Sequence, residues 1–508
     1  MKHSALLLAG GTLAALPCSL NGQPRPNVIV ILADDLGYGD LGCYGARNVA
    51  TPNVDALAAE GLRLTNAYAT ASVSTPSRYS LLTGAYAWRR SDTDIAVGDA
   101  GMIIRPEQYT LADLFKNAGY ATGAFGKWHL GLGDRGGEQD WNAPLPAGLG
   151  DLGFDYSYIM AATGDRVPCV FIENGQVANW DPDAPIEVSY RTPFPGEPLA
   201  QDHPELLYNL HSTPGVGHNQ AIVNGIGRIG YMKGGGRALW KDENIADSIT
   251  VHALDFIEAN RDRPFFIYLA TNNIHVPRFP HERFRGKSGM GLRGDAIAEF
   301  DWTVGAVMDK LTQLGISDNT LLIITSDNGP VLEDGYMDGA REKVGDHDPA
   351  GGIRGNKYGV YEAGARVPAI VRWKGRVSPG SESAALVSHV DLLASFAGLV
   401  GGRIPRDQAP DSREALAAWL GEDGEGRDYV IEQANNRCLS VRTKEWKYVE
   451  PSDGPAEYRW APGSETGYLD IPQLYHLPDD PREQHNTATD HPEVVRAMQE
   501  ILLGERSR

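Results

Sequence analysis

Cysteine is scarce in this chain: Cys18, Cys43, Cys169 and Cys438 are the four present among 508 residues. So few cannot build the disulfide framework of a small secreted scaffold, and no pair has the spacing of a zinc site. At most one bridge can form among Cys43, Cys169 and Cys438, and three buried thiols suit the sequence equally well. Positive charge is also in deficit, with 46 Lys and Arg against 66 Asp and Glu, a formal net charge of −20. That balance excludes a nucleic-acid partner, which needs a basic footprint. It also requires that an anionic ligand be drawn in by a local cluster of cations, against the long-range field.

A membrane-spanning apolar segment is missing as well. The run Ala5–Leu16 is too short to cross a bilayer. Preceded by Lys2 and His3 and followed by Pro17-Cys18-Ser19, it has the layout of a secretory signal peptide over residues 1–22. A periplasmic or secreted mature protein is therefore expected, with no transmembrane segment. Cys18 leaves a lipidated N-terminus open, although Pro17 before it fits lipoprotein processing poorly.

What is present describes a soluble globular protein: 42% apolar and 22% charged residues in a chain long enough for at least two domains. From residue 25 to 400, short apolar strands alternate with helical stretches, the pattern of an α/β sheet covered by helices on both faces. Val28-Ile29-Val30-Ile31-Leu32 is continuously apolar, as a strand buried on both sides must be. Phe265–Leu269 and Leu321–Ile324 repeat that signal, while Ile297, Phe300, Val304, Val307 and Leu311 recur at helical spacing. Polar clusters follow three strands directly: Asp34-Asp35, Asn272-Asn273-Ile274-His275 and Ser326-Asp327-Asn328-Gly329. Open parallel sheets bind ligands beyond the carboxyl ends of their strands, so these clusters should meet at one edge. Residues 165–241, rich in Pro, Gly, Asn and His, read as an insertion that shapes a pocket. Residues 401–427 read as a polar linker with one helix, and the remainder to 508 as a smaller α+β domain of short strands and a terminal helix.

Ser74-Thr75-Pro76-Ser77-Arg78-Tyr79-Ser80-Leu81-Leu82-Thr83-Gly84 is the most informative run. Taken locally it is a helix start, with Ser or Thr at a cap and Pro in the first turn. Taken whole it resembles the signature of type I sulfatases, whose first residue, Cys or Ser, is oxidised to formylglycine. The resemblance identifies the chain as a serine-type member of that family, within the alkaline-phosphatase-like superfamily. It implies a large, mixed, mostly parallel sheet sandwiched by helices, and hydrolysis of sulfate monoesters through a hydrated formylglycine at Ser74. One hydroxyl of the hydrate would attack sulfur and the other would later expel sulfate. It also implies a bacterial, radical-type maturating enzyme as a partner, because that is the route by which serine is converted.

Asp34-Asp35-Leu36-Gly37-Tyr38-Gly39-Asp40 and Ser326-Asp327-Asn328-Gly329 resemble the family's paired metal segments, making Asp34, Asp35, Asp327 and Asn328 the implied ligands. Hard oxygen donors suit Ca²⁺, and Mg²⁺ less well, over zinc. Gly126-Lys127-Trp128-His129, Ile274-His275-Val276-Pro277 and Gly355-Asn356-Lys357-Tyr358-Gly359 match further family segments. The implied roles are charge neutralisation for Arg78, Lys127 and Lys357, general base for His129, and general acid for His275. Such groups are needed because a sulfate monoester is anionic and a sugar alkoxide leaves poorly. Asp165, Arg166, Asp346, His347 and Arg354 are the polar residues proposed to bind substrate. A sulfated glycan or small sulfate ester is expected, with galactose- or N-acetylgalactosamine-type sugars favoured. Two rival readings remain: a phosphoesterase or phosphonate monoester hydrolase of the same superfamily, and a sulfated-glycan-binding protein in which Ser74 is never oxidised.

Overall fold

A computed structural model describes residues 25–134, 136–137 and 139–508; the expected signal peptide and Cys18 lie outside the described residues. Strand β1 (Asn27–Ala33) is buried along its whole length. It pairs in parallel with β7 (Phe265–Ala270) on one side and β8 (Thr320–Ser326) on the other. A strand with neighbours on both edges and helices on both faces has no wet side, which is why all three read as uninterrupted apolar runs. The remaining strands of this sheet are β2 (Leu62–Tyr68), β3 (Ala121–Lys127), β4 (Tyr156–Met160), β5 (Phe171–Glu173), β6 (Gln176–Val177), β9 (Arg366–Arg372), β10 (Ser381–Ser383) and β11 (Val387–Ser388). The order is β10-β2-β9-β8-β1-β7-β3-β4-β5-β6, with β11 also on β2, eleven strands in all. The central five run parallel, and β9 and the β5–β6 edge are antiparallel.

Helices cover the sheet in two groups. In one, α4 (Ile245–Ala259) packs along α5 (Gly291–Gln313), and α5 along α1 (Pro52–Glu60). In the other, α2 (Ser74–Thr83), α3 (Leu111–Asn117) and α6 (Leu392–Val400) pack on one another. Phe115 of α3 stacks on Phe266 of β7 at 4.3 Å, an aromatic clamp between helix and sheet. The three described cysteines are free thiols, so the bridge left open by the sequence does not form. No helix among the described residues is long and apolar enough to cross a membrane.

Beyond α6, residues 401–427 behave differently from a free linker: Ala409, Ala418, Trp419 and Leu420 pack into the main core. A second, antiparallel sheet comes next, of β12 (Tyr429–Gln433), β13 (Leu439–Thr443), β14 (Trp446–Val449) and β15 (Gln473–His476). Helix α7 (Pro492–Arg506) lays Val495, Met498 and Leu502 on it.

The two sheets meet over a buried ionic cluster. Lys447 of β14 reaches Glu432 at 2.8 Å and Glu362 at 3.3 Å. Glu483 accepts the Glu362 backbone N–H at 2.7 Å, and Tyr68 donates to Glu362 at 2.6 Å. Burial alone would push all three carboxyls up, and it does so for Glu432 and Glu483. At Glu362 the charges of Lys447, Arg442 and Arg366 overcome that burial and hold the carboxyl down. Removing a cation from such a cluster leaves uncompensated buried charge, so Lys447→Ala should cost about 3–5 kcal/mol. Urea unfolding of the two proteins, compared by midpoint at equal slope, measures it.

Candidate active site

Five segments, far apart in sequence, deliver their side chains to one end of the large sheet. Asp34 and Asp35 leave β1; Asp327 and Asn328 leave β8; Lys127 closes β3, with His129 just beyond it; His275 lies past the end of β7. Helix α2 brings Ser74 and Arg78, and every residue of this helix is buried. The helix does begin at Ser74, yet its N-cap is Val73, and Ser74 makes no cap hydrogen bond. Its hydroxyl is engaged elsewhere: Oγ accepts from Lys127 Nζ at 2.8 Å and donates to Asn328 Oδ1 at 3.2 Å.

Around this hydroxyl lie four buried carboxylates and three buried cations. Lys127 Nζ lies 2.6 Å from Asp34 Oδ1. Arg78 donates to Asp327 through Nε at 2.9 Å, with Nη2 in ion-pair contact with the same carboxylate at 2.8 Å, and to the Lys127 carbonyl through Nη1 at 3.0 Å. Lys357 Nζ bridges Asp35 at 2.8 Å and Asp334 at 2.9 Å, and Tyr358 OH donates to the same Asp334. Burial opposes every one of these charges, and partners outweigh it at some of them and not at others. Asp334 and Asp35 hold the Lys357 ammonium well above its ordinary value, and Asp327 does the same for Arg78. For Lys127 burial prevails and lowers the ammonium; for Asp34 it prevails and raises the carboxyl.

The two histidines are held in defined tautomers. His129 Nε2 lies 2.9 Å from the Ala96 carbonyl, which can only accept, so Nε2 carries the proton and Nδ1 keeps its lone pair. That Nδ1 is buried without a partner. Burial, then the charges of Lys127, Arg166 and Arg78, hold the ring well below the usual histidine value, hence neutral at pH 7. His275 Nδ1 lies 2.6 Å from the Val276 carbonyl, leaving Nε2 free, 3.8 Å from Asp35 Oδ2.

The backbone is strained here. Asp35, His129 and Tyr358 have φ of 61°, 59° and 79°, a region side-chain-bearing residues rarely adopt. Gly329 is required by proximity: a Cβ there would lie 1.7 Å from the Ala363 carbonyl oxygen, and its N–H donates to the Gly364 carbonyl at 2.9 Å.

Asp34, Asp35, Asp327 and Asn328 fit a hard cation. All offer oxygen, and Asp34 Oδ2 is buried with no hydrogen-bond partner, as a ligand oxygen would be. One ligand atom each from Asp34, Asp35 and His275 fall within 4.8 Å of one another, so a ring nitrogen also comes near the cluster. Asp327 Oδ2 is taken up by Arg78, while Oδ1 accepts the Asp35 backbone N–H at 3.2 Å.

Ser74, His129, His275 and Lys357 open into a cavity of about 260 Å³. Of the residues expected to bind substrate, Asp165 and Arg166 line it. The other three lie away from it. Asp346 pairs on the exposed surface with Arg47 and Asn48. His347 is buried on Asp40 at 2.8 Å, beside the Arg293–Asp40 pair, and braces the Asp34–Asp40 loop from outside. Arg354 is taken by Glu465, at 2.7 Å, and lies over the Tyr361 ring. Each is consumed by a neighbour that no local pattern announces. Conversely, the sequence reading missed His218, Asp334, Tyr358 and Trp460, all of which line the cavity. His218 Nε2 lies 3.2 Å from Asp165; its place in a composition-biased insertion was the one available signal.

The sulfatase family model matches residues 26–402. An N-acetylgalactosamine-6-O-sulfatase of Bacteroides thetaiotaomicron is 51% identical over 490 residues, covering 96% of this chain and 95% of that protein. A rat steryl-sulfatase is 31% identical over 528 residues, covering 95% and 89% respectively. A solved Bacteroides thetaiotaomicron structure, from work on the metabolism of multiple glycosaminoglycans, superposes with a TM-score of 0.93 at 50% identity, covering 96% of this chain and 100% of that one.

The contact at Gly329 yields a test. Gly329→Ala must displace the loop carrying Asp327 and Asn328 or the segment after Lys357, at a cost of about 1–3 kcal/mol. A lowered thermal midpoint is the expected result.

Proposed function

Because the chain belongs to the sulfatase family, we propose that it hydrolyses sulfate esters of carbohydrate, with 6-O-sulfated N-acetylgalactosamine or galactose at the end of a glycan as the substrate. The observation that carries this reading is the seat of Ser74: a buried hydroxyl at the base of a cavity, 2.8 Å from the Lys127 ammonium and 3.2 Å from Asn328, beside three carboxylates. The 51% identity to an N-acetylgalactosamine-6-O-sulfatase supports the sugar and the position of the ester. Oxidation of Ser74 to formylglycine, by a radical-type maturating enzyme, followed by addition of water to the aldehyde, supplies the gem-diol nucleophile that serine alone lacks. Asp34, Asp35, Asp327 and Asn328 would hold Ca²⁺, which polarises a sulfate oxygen and lowers the cost of its charge. Export to the periplasm or beyond agrees with an extracellular glycan as substrate.

The chain's own groups fit the remaining tasks. Lys127, Lys357 and Arg78 supply positive charge in a dry site, where fixed charges act most strongly on a developing anion. His275, with Nδ1 on the Val276 carbonyl, has Nε2 as the nitrogen that, when the ring carries its second proton, can give that proton to the leaving sugar oxygen. His129, with Nε2 on the Ala96 carbonyl and a neutral ring, has Nδ1 as the nitrogen that can take a proton when sulfate departs. Asp165 is held ionised because Arg166 and His218 outweigh its burial. It is suited to accept hydrogen bonds from sugar hydroxyls.

Two experiments test this. Protein co-produced with a serine-type maturating enzyme should release sulfate from N-acetylgalactosamine 6-sulfate, with Ser74 lighter by the mass of H₂ in its tryptic peptide; Ser74→Ala should release none while keeping its melting temperature. His275→Ala should slow sugar sulfates more than activated aryl sulfates, by about 10²–10⁴-fold on the sugar, because a good leaving group needs little protonation. Equal losses on both substrates would remove His275 from the acid role.

A further inference from the structure

The cavity is built from two kinds of wall. Its polar end holds Ser74, His129, His275 and Lys357, and its side carries Asp165, Arg166 and His218. Asp334 and Gly217 also line it, and the rest of the lining is apolar: Val73, Ile95, Val216, Ile229, the Tyr358 ring and Trp460. Trp460 stands apart because it comes from the C-terminal region, on the long connection between β14 and β15.

That connection is anchored to the catalytic machinery. Trp460 stacks on Tyr458 at 4.7 Å, and both rings meet Tyr358 edge-on at 6.2 and 5.4 Å. Tyr358 is the residue after Lys357, whose ammonium lies 5.2 Å over the Tyr358 ring. Tyr468 OH donates to the Tyr358 carbonyl at 2.9 Å and lies 3.2 Å from Tyr458 OH. From the other side, Arg459 donates to the Gly215 carbonyl at 2.9 Å, next to Val216, Gly217 and His218 of the insertion. The C-terminal connection and the insertion thus join across the cavity.

We propose that Trp460 is a specificity-determining residue, its indole packing against the ring of the sugar that bears the sulfate. The assignment rests on the carbohydrate reading above. A pyranose has a rim of hydroxyls and two faces of C–H bonds. In galacto-configured sugars the hydrogens on carbons 3, 4 and 5 share one face, because the axial hydroxyl points to the other. Such a molecule needs polar partners at its rim and an apolar plate under its face. Asp165, Arg166 and His218 provide the first, and Trp460, braced by Tyr458 and Tyr358, provides the second. Sulfate alone reaches only the polar end and gains nothing from the plate.

The test uses matured enzyme with N-acetylgalactosamine 6-sulfate and, as a probe of the anion end, inhibition by inorganic sulfate. Trp460→Ala should raise KM about tenfold with kcat within about twofold, and Trp460→Phe should recover most of the loss. The inhibition constant of sulfate should not move. Should the Ala variant fail to fold, Trp460→Leu, which keeps apolar bulk without a flat face, gives the same readout. An unmoved KM, or a matching weakening of sulfate inhibition, would overturn the assignment. Wild-type enzyme inactive on every sugar sulfate would overturn the carbohydrate reading and this assignment together; an active wild type with an unmoved variant KM sinks this one alone.

Discussion

Compensation of buried charge is the constraint on which the rest depends. Asp34, Asp35 and Asp327 are fully buried beyond the carboxyl ends of β1 and β8, where isolated carboxylates would be prohibitively costly. Arg78, Lys127 and Lys357 offset their charge, and each comes from a different segment. The sheet makes this possible: β1, β3, β7 and β8 run side by side in parallel, so their ends open on one edge. Helix α2, buried on all sides, then drives Ser74 and Arg78 into the centre.

The same constraint explains the strained backbone. Asp35, His129 and Tyr358 adopt left-handed conformations costing on the order of 1–3 kcal/mol each. The surrounding core is large and stiff enough to impose them. Its clamps include the Phe115–Phe266 stack, and across the two sheets the Lys447–Glu362–Glu432 cluster. Stability stored far from the cavity thus holds reactive groups in conformations they would not choose.

Cavity shape has a different origin. Its chemistry belongs to the strand ends, whereas its walls come from the insertion and from the C-terminal connection, joined through Arg459 and Gly215. A common sulfate-gripping floor and separately supplied walls let one fold serve different sugar esters.

Apolar runs, helical spacing and polar clusters at strand ends were enough for the sequence to indicate the α/β sheet, the smaller C-terminal sheet and the meeting of Asp34-Asp35, Asn272–His275 and Ser326–Gly329 at one edge, whereas Ser74, Arg78, Lys127, His129 and Lys357 were singled out by the resemblance of their segments to the sulfatase family. These features are local: a strand's burial and the polar residues just past its end are written within a few positions of each other. Only the tertiary structure decided the walls. It sent Asp346 to the surface, spent His347 on Asp40 and Arg354 on Glu465, and brought in His218, Asp334 and Trp460 instead. Where a loop side chain lands depends on partners hundreds of residues away, and no short-range pattern records which of them it will meet.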